Sequence, residues 1–285
     1  MQASTATILC AERVSGPLSL GQLVGGLRQR LHFQPRHSQF LLLDSASEAS
    51  SLAAAADHLA VGIDPERVAL IVPTRVPELA QLRDALATLP SDDDAPTLGT
   101  AAVLAALSPT LVSPHAARAG QVAAANAVVR QINDRAGGAL LREAQPMLSL
   151  RSPFAAPKVP LDVPFCADAA TLAAAIDALP EGTTLGLPAR ETEGHPLFQL
   201  LDVFEHDLPF LDDLKSKFRR GGLSERVVKA HLADCAERFL APVRERRAEL
   251  AADRALLDRV LDAGTAQARR AARHALAQVN GVLAA

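Results

Sequence analysis

The chain has 285 residues, of which 49% are hydrophobic and 21% charged, and its formal net charge is -3. This composition provides ample material for a buried core in one large domain or two smaller ones. It excludes a membrane span, because no stretch approaches the roughly 20 apolar residues that a span needs, and the first residues lack the basic and apolar regions of a secretory leader. We therefore expect a globular, cytoplasmic protein without a membrane partner.

The cysteines and the aromatic residues, both few in number, limit the possible chemistry further. Cys10, Cys166 and Cys235 are odd in number and lie too far apart for a CxxC motif, so we expect reduced, buried thiols and predict no metal site from them. The chain has no Trp or Tyr and nine Phe. Base stacking on exposed aromatic rings is therefore expected to contribute little to any binding of nucleic acid.

The segment 12–28, ERVSGPLSLGQLVGGLR, is predicted to form a strand end, a tight turn and the first turns of a helix. Pro17 suits the first position of a helix, and Leu20, Leu23, Leu27 and Leu31 recur at helical steps on one face. Such a helix start offers backbone N–H groups to an anion. Neither GxGxxG nor GxxxxGK[ST] is present, so the ordinary dinucleotide and P-loop interpretations fail.

This segment resembles the nucleotide loop of class I aminoacyl-tRNA synthetases, which in the tryptophanyl branch runs roughly T-G-x-L-H-L-G-[NH]-x-x-G. The glycines and leucines match. The first histidine of the HIGH-type motif, which in the family supports the ATP phosphates in the transition state, falls on Ser19. An amphipathic helix after a Gly-Pro turn is the alternative. The nucleotide-loop remnant comprises Ser15, Gly16, Ser19, Gly21 and Gln22.

Strands and helices alternate in the first 90 residues. Apolar runs at 6–10 and 39–44 suit buried parallel strands, and a helical pattern follows serine caps over 47–60. A turn at Asp64-Pro65 then precedes a strand from Val68 to Val72. This alternation predicts a parallel α/β sheet.

The resemblance also covers the passages 60–70 and 76–78, but the amino-acid pocket departs from it. Ala46 stands where the family has a histidine after its second strand. Leu107 replaces the acid that in the family meets the indole N–H of tryptophan. The pocket remnant comprises Asp44, Ala46 and Leu107.

A long helix is predicted to begin at Ser113-Pro114, to run through Arg135 and to end at Gly137-Gly138. Five prolines between residues 145 and 165 then predict an irregular or extended chain. In the synthetase family this region carries the second signature, KMSKS, on a mobile loop. Neither signature lysine is present at the aligned residues, which are Leu150, Arg151, Ser152, Pro153 and Phe154.

Residues 194–285 have the strongest resemblance, to the helical anticodon-binding domain of tryptophanyl-tRNA synthetases. Pro242 is expected to kink or break one helix, and Gly264 to separate the last two. We therefore expect an α/β fold in two domains. A degenerate Rossmann-like domain with a parallel sheet would span 1–190, and an all-α, anticodon-binding-like domain would span 191–285.

Basic residues accumulate in this second part, where residues 214–285 contain 15 Lys and Arg against 8 Asp and Glu. A basic section on an acidic body suits a polyanion, and the resemblance implies tRNA. The alternative is a solvated helix face with i,i+4 ion pairs. The candidate RNA-binding residues are Lys215, Lys217, Arg219, Arg220, Arg244, Arg246 and Arg247.

Three functional interpretations remain. The first is an active tryptophan–tRNA ligase that forms Trp-AMP from ATP and tryptophan, which the lost signature residues oppose. The second, which we prefer, is a synthetase-like protein that no longer aminoacylates and that binds RNA or a protein partner. The third is an enzyme of another class that uses Ser19, Gln22, Asp44 and His115, but no nucleophile and base stand at a recognisable spacing.

The preferred interpretation implies no catalytic residue and no cofactor, and it leaves ATP binding open until the pocket is seen. The expected partner of the helical domain is tRNA. A homodimer, or a pair with a full-length synthetase, is the other partner that the resemblance suggests.

Overall fold

The computed structural model describes residues 6–89, 94–114, 116–147, 163–188 and 190–285. The strands are β1 (Ile8–Val14), β2 (Gln39–Ser45), β3 (Val68–Ile71), β4 (Leu111–Val112) and β5 (Gln145–Pro146). The α-helices are α1 (Leu20–Gln22), α2 (Arg28–Phe33), α3 (Glu48–Ala60), α4 (Pro77–Leu86), α5 (Ala95–Leu107), α6 (Ala119–Ala136), α7 (Ala169–Asp177), α8 (Pro196–Phe204), α9 (Leu208–Arg219), α10 (Glu225–Ala252) and α11 (Arg254–Leu283). A π-helical turn (Leu23–Leu27) joins α1 to α2, and 3-10 turns occupy Pro73–Arg75 and Gly182–Leu185.

Within these described residues the chain packs as two compact units. The first comprises 6–16, 30–147 and 253–285, and the second comprises 17–29 and 163–252. The sequence-based division into 1–190 and 191–285 stays a prediction. The packing adds one fact. Helix α11, which lies in the predicted second domain, is grouped with the first unit.

The first unit is built on a five-stranded sheet of order β3-β2-β1-β4-β5, in which every neighbouring pair is parallel. Ile8 of β1 lies opposite Gln39 of β2 on one side and Leu111 of β4 on the other. Strands of a parallel sheet are buried on both faces, which explains the continuous apolar runs. The predicted parallel α/β fold is confirmed. The strands β1, β2 and β3 overlap the predicted runs, whereas β4 and β5 were not predicted.

Two of three predicted helix ends lie where the sequence places them. Ser47 caps α3 by accepting the N–H of Ser50, and Gly137 ends α6 with a φ of 70°. The predicted start at Ser113 is wrong, because α6 begins at Ala119. Ser113 instead donates its N–H to the carbonyl of Leu9 at 2.8 Å and so extends the pairing of β4 with β1.

Helix α11 packs on the sheet of the first unit. Its buried residues, from Leu257 to Val279, recur at helical steps. Gly264 was predicted to separate two helices, and this is wrong, since α11 runs through it. The glycine serves close approach instead, because a Cβ at this position would stand 2.1 Å from the carbonyl oxygen of Leu70 in β3. The helix break lies earlier, at Asp253, which caps α11.

In the second unit, α10 packs against α7 and α8. Lys229 of α10 donates to the carbonyls of Asp177 and Leu179 at 2.6 Å and so satisfies the C-terminal end of α7. Pro242 was predicted to kink or break its helix, but α10 continues through it without interruption. Across both units, no helix in the described ranges is both long and apolar enough to cross a bilayer.

Candidate functional site

The strand order of the first unit defines where a ligand would bind. The chain passes from β1 to β2 on one side and later to β4 on the other, so the order reverses between β1 and β4. Open parallel sheets bind ligands beyond the carboxyl ends of the strands at such a point. Ser15 and Gly16 follow β1 there, and Ser113 follows β4. A Cβ built on Gly16 would meet no heavy atom within 4 Å, as the nucleotide-loop prediction requires of this glycine.

At the helix start that follows, side chains of the same segment accept the backbone N–H groups. Ser19 Oγ accepts the N–H of Gln22 at 3.2 Å, and Gln22 Oε1 accepts the N–H of Ser19 at 2.8 Å. This reciprocal pair is a capping box. The N–H of Leu20 donates to the carbonyl of Val163 at 2.8 Å. Three of the first four amides counted from Ser19 therefore donate within the protein, so this helix start has little left to offer a phosphate.

Beyond the cap, the helix widens into the π-helical turn that contains Gly25 and Gly26. The N–H of Arg28 closes this turn on the carbonyl of Leu23. The extra residue rotates the helix relative to a regular α-helix. The predicted leucine face is buried from Leu20 to Leu27, whereas Leu31 is half-buried.

The residues of the amino-acid pocket remnant occupy different environments. Asp44 is exposed at the end of β2, where its carboxylate lies 3.8 Å from the Nε of Arg13. Ala46 is exposed ahead of α3. Leu107 is buried in the apolar core at the end of α5. The structure thus places two of the three at the surface and one in the core.

The KMSKS-aligned residues 150–154 and His115 lie outside the described residues. The predictions that concern them stay predictions.

A buried ionic cluster lies on β1 just before the loop. Glu12 Oε2 is 2.8 Å from Arg30 Nη1 and 3.0 Å from His58 Nε2, and none of the three side chains is more than 7% exposed. Burial raises the pKa of Glu12, but the hydrogen bond from His58 and the charge of Arg30 outweigh burial and bring the pKa to about 2. The cluster joins β1, α2 and α3, and sequence patterns gave no sign of it because its members are 18 and 46 residues apart from Glu12.

The seven basic candidates divide into paired and unpaired side chains. Three are neutralised by carboxylates, Lys215 by Asp202, Lys217 by Asp213 and Arg244 by Glu237. Arg247 is half-buried and engaged with other groups. Arg219, Arg220 and Arg246 are exposed, and no carboxylate lies within ion-pair distance of them in the part of the chain that the structure describes. Among the seven candidates, these three arginines are the ones whose side chains remain open to an anion.

One polar cluster in the second unit escaped the sequence-based predictions. His231 Nε2 donates to Glu205 Oε2 at 2.8 Å, and Cys235 Sγ lies 3.2 Å from the same oxygen and 3.3 Å from His231 Nε2. The hydrogen bond from the Asp207 N–H lowers the pKa of Glu205 to about 2, whereas burial raises the pKa of the Cys235 thiol. The available signal was the spacing of His231 and Cys235, four residues apart on one predicted helix.

Comparisons with known proteins find similarity over nearly the whole chain. No family model matches it. The chain is 26% identical to a tryptophan–tRNA ligase of Streptococcus pneumoniae over 97% of both sequences, and 27% identical to one of Treponema pallidum over 95% of both. Its fold is similar to crystal structures of tryptophanyl-tRNA synthetase from Campylobacter jejuni, complexed with ADP and tryptophan (TM-score 0.76, 19% identity, covering 98% of this chain and 100% of that one), and from Mycoplasma pneumoniae (TM-score 0.71, 14% identity, 98% of each).

Proposed function

We propose that this chain, whose resemblance to the tryptophanyl branch of the class I aminoacyl-tRNA synthetases is confirmed over nearly its whole length, keeps the fold of that branch without its adenylation chemistry. Its function on this proposal is binding, first of RNA through the exposed arginines of the second unit. The alternative is an active ligase that forms Trp-AMP from ATP and tryptophan, which the full-length similarity favours.

The observation that supports the proposal most is the capping box between Ser19 and Gln22. These two residues stand at the positions of the HIGH-type motif, and their side chains are engaged with each other's backbone. Loss of one preorganised transition-state donor costs on the order of 10² to 10³ in rate, about 2.7–4 kcal/mol. Losses in one site do not add fully, but the motif and the pocket are both altered.

The test of this proposal is tryptophan-dependent exchange of pyrophosphate into ATP. The purified chain is expected to give the same exchange as a sample without protein, because no histidine at position 19 supports the developing charge. The Treponema pallidum relative, assayed in parallel, shows that the conditions support a ligase. A clear tryptophan-dependent signal from this chain would make the active ligase the correct interpretation.

Tryptophan binding gives a second measurement on the same proposal. A pocket rejects analogues strongly when it leaves its own buried polar groups unpaired, and Leu107 supplies no such group. Calorimetric titration is expected to show no affinity tighter than roughly millimolar, near -4 kcal/mol. Micromolar affinity would show that other residues have taken over recognition of the indole.

Binding of tRNA is the positive part of the proposal. Contacts would be made mainly to phosphates, since the chain lacks Trp and Tyr. We expect the intact chain to retard tRNA at low ionic strength and to release it near physiological salt. Each neutralised phosphate adds about 0.7 to 0.9 to the slope of log affinity against log salt. The double variant Arg219→Ala/Arg220→Ala should therefore lower that slope by up to about 1.8.

Two matched variants test whether the loss comes from these arginines. Lys217→Ala removes a cation that already pairs with Asp213 at 2.6 Å, and Arg83→Ala removes one that pairs with Asp84 in the first unit. Both are expected to leave the salt slope unchanged. If the intact chain does not bind tRNA at low ionic strength, the RNA proposal fails. A protein partner such as a full-length synthetase then becomes the better hypothesis.

A further inference from the structure

We propose that Glu205, His231 and Cys235 form a binding site for a zinc-class divalent ion, with one coordination position left for water or an exogenous ligand. One ligand atom from each residue lies within 4.8 Å of the other two. The site belongs to the second unit and uses none of the residues assigned to RNA binding.

The fold directs all three ligand atoms to one point. His231 and Cys235 are four residues apart on α10, so their side chains emerge from the same face of the helix. Glu205 lies at the C-cap of α8. Its Oε1 accepts the N–H of Asp207 at 2.8 Å, which orients the carboxylate and leaves Oε2 for the other two residues. A ligand held from behind in this way is typical of protein metal sites.

The three ligand atoms already stand close to the separations found in a zinc site. The three ligand atoms stand 2.8, 3.2 and 3.3 Å apart. In a tetrahedral zinc site with bonds of about 2.0 to 2.3 Å, neighbouring ligand atoms stand roughly 3.3 to 3.6 Å apart. Each pair would therefore have to open by at most about 0.5 Å, which changes of side-chain rotamer can supply without moving either helix.

Hydrogen bonds now hold the ligand atoms together, and the ion would replace the protons of those bonds. The thiol of Cys235 and the Nε2–H of His231 both point at Glu205 Oε2. On binding, Cys235 gives up its proton to solvent and coordinates as the thiolate. His231 loses its Nε2 proton by exchange with solvent, carries its one remaining proton on Nδ1, and coordinates through Nε2 as the neutral imidazole. Thiolate and carboxylate together balance the two positive charges of the ion, so the filled site adds no net charge to the interior.

The site has an entry path on one side. Arg238 Nη2 donates to Cys235 Sγ at 3.1 Å, and the Arg238 side chain is 70% exposed. Glu205 and Cys235 are buried behind it, and His231 is 23% exposed. Arg238 also lies 4.0 Å from Glu205 Oε2, but its largely exposed side chain can swing into solvent and leave the fourth position open.

The ligand types decide which ion the site would take. A thiolate and an imidazole suit zinc and similar transition metals, whereas magnesium and calcium require oxygen ligands. Three protein ligands with one open position is the arrangement of zinc sites that bind a water or a substrate. The site would thus differ from a closed four-ligand structural zinc site.

Titration with cobalt(II) tests the assignment directly, because a thiolate bound to cobalt gives a charge-transfer band in the near ultraviolet. The intact chain, freed of metal by a chelator, is expected to bind one equivalent and to show this band. Zinc added afterwards should remove it. Absence of the band from the intact chain would overturn the proposal.

Three variants at the site and two controls locate it. Cys235→Ser should abolish the band, and His231→Gln and Glu205→Gln should each weaken binding by at least about 10-fold. Cys166→Ser and His206→Gln are the matched controls, since Cys166 is the other cysteine of the second unit and His206 is an exposed neighbour of Glu205. Both controls should bind like the unchanged chain. A band that survives Cys235→Ser, or is lost in Cys166→Ser, contradicts the assignment.

Thermal unfolding separates loss of the site from loss of the fold. Zinc is expected to raise the melting temperature of the unchanged chain and of both controls. It should raise that of His231→Gln less, because the weaker site takes up less zinc at the same concentration. If the metal-free variants melt at the temperature of the unchanged chain, their reduced response reflects the missing ligand. If zinc stabilises His231→Gln as much as the unchanged chain, the site lies elsewhere.

Discussion

The start of α1 and helix α11 both lie in the span that is similar to tryptophan–tRNA ligases, but their residues make different kinds of contact. At α1, Ser19 and Gln22, which the sequence resemblance aligns with the HIGH-type motif, hydrogen-bond to each other's backbone in a capping box. At α11, Gly264 lies against the backbone of Leu70 in β3, and Arg269 and Arg273 pair with Glu78 of α4.

The difference shows that two kinds of residue should be distinguished: those that pack elements together and those that bind a ligand. Residues that hold elements together are constrained by backbone distances, as at Gly264, where a single added carbon collides with a carbonyl. Residues that hold a ligand are constrained only by the chemistry of that ligand. A packed helix is therefore under tighter distance constraints than a loop whose residues meet a ligand.

The strongest way to break this comparison is to add a methyl group at Gly264. Gly264→Ala places a Cβ 2.1 Å from a backbone oxygen, so α11 must shift, and we expect the free energy of unfolding to fall by about 2–3 kcal/mol. Gly281→Ala on the same helix meets nothing within 4 Å and should instead stabilise by about 0.5–1 kcal/mol. Urea unfolding of both variants measures the contrast. Equal effects would mean that α11 doesn't depend on this contact.

The next largest effect is expected at Glu78, which accepts from Arg273 at 2.7 Å and from Arg269 at 3.2 Å. Glu78→Gln removes the charge from both pairs and should lower the free energy of unfolding by about 1–2 kcal/mol at pH 7, since both arginines are partly exposed. The exposed pair of Arg75 with Asp262 is the matched control, and Asp262→Asn should cost less than about 0.5 kcal/mol.

The loss of stability in Glu78→Gln is expected to depend on pH. Burial raises the pKa of Glu78, but the hydrogen bonds from Arg269 and Arg273 outweigh it and bring the pKa to about 2, below the value near 4.5 of a free glutamate. A lowered pKa stabilises the folded state above the unfolded pKa, and this stability is lost as the pH falls towards 2. The difference between the unchanged chain and Glu78→Gln should therefore shrink between pH 5 and 2 in acid unfolding. A constant difference would exclude this charge interaction.

The smallest effect is expected at the capping box. Ser19→Ala removes the acceptor for the Gln22 N–H and should cost about 1 kcal/mol. Ser47→Ala removes the equivalent cap of α3, where the Ser50 N–H donates at 3.1 Å, and should cost a similar amount. Thermal unfolding of both variants measures this. If Ser19→Ala is neutral while Ser47→Ala is not, the start of α1 is not held by its cap and remains available to a ligand.

Much of the fold could be predicted from the sequence because its signals are local. Apolar runs indicated the parallel strands, Ser47 indicated the start of α3, and Gly137 indicated the end of α6. Gly264 was misjudged because a glycine that ends a helix and one that admits a neighbouring strand look alike in a sequence. The neighbour that decides between them, Leu70, lies far away in the chain.

The site was predictable only in part, for the same reason. Ser19 and Gln22 have the spacing of a capping box, so their mutual hydrogen bonds were within reach of the sequence. Glu205 was not recognisable as a partner of His231 and Cys235, since it lies 26 and 30 residues before them. The carboxylate joins them only because α8 packs against α10.

The packing of α11 on β3 has a consequence for the timing of folding during synthesis. The contact between Val72 and Thr265 spans 193 residues. At roughly 5 to 20 residues per second, a ribosome needs about 10 to 40 s to synthesise that stretch. Throughout this interval β3, the edge strand of the sheet, has no α11 to cover it and can pair with other chains. Nascent chains stalled before residue 253 are therefore expected to be cut by protease within β3, and chains released after residue 285 to resist it.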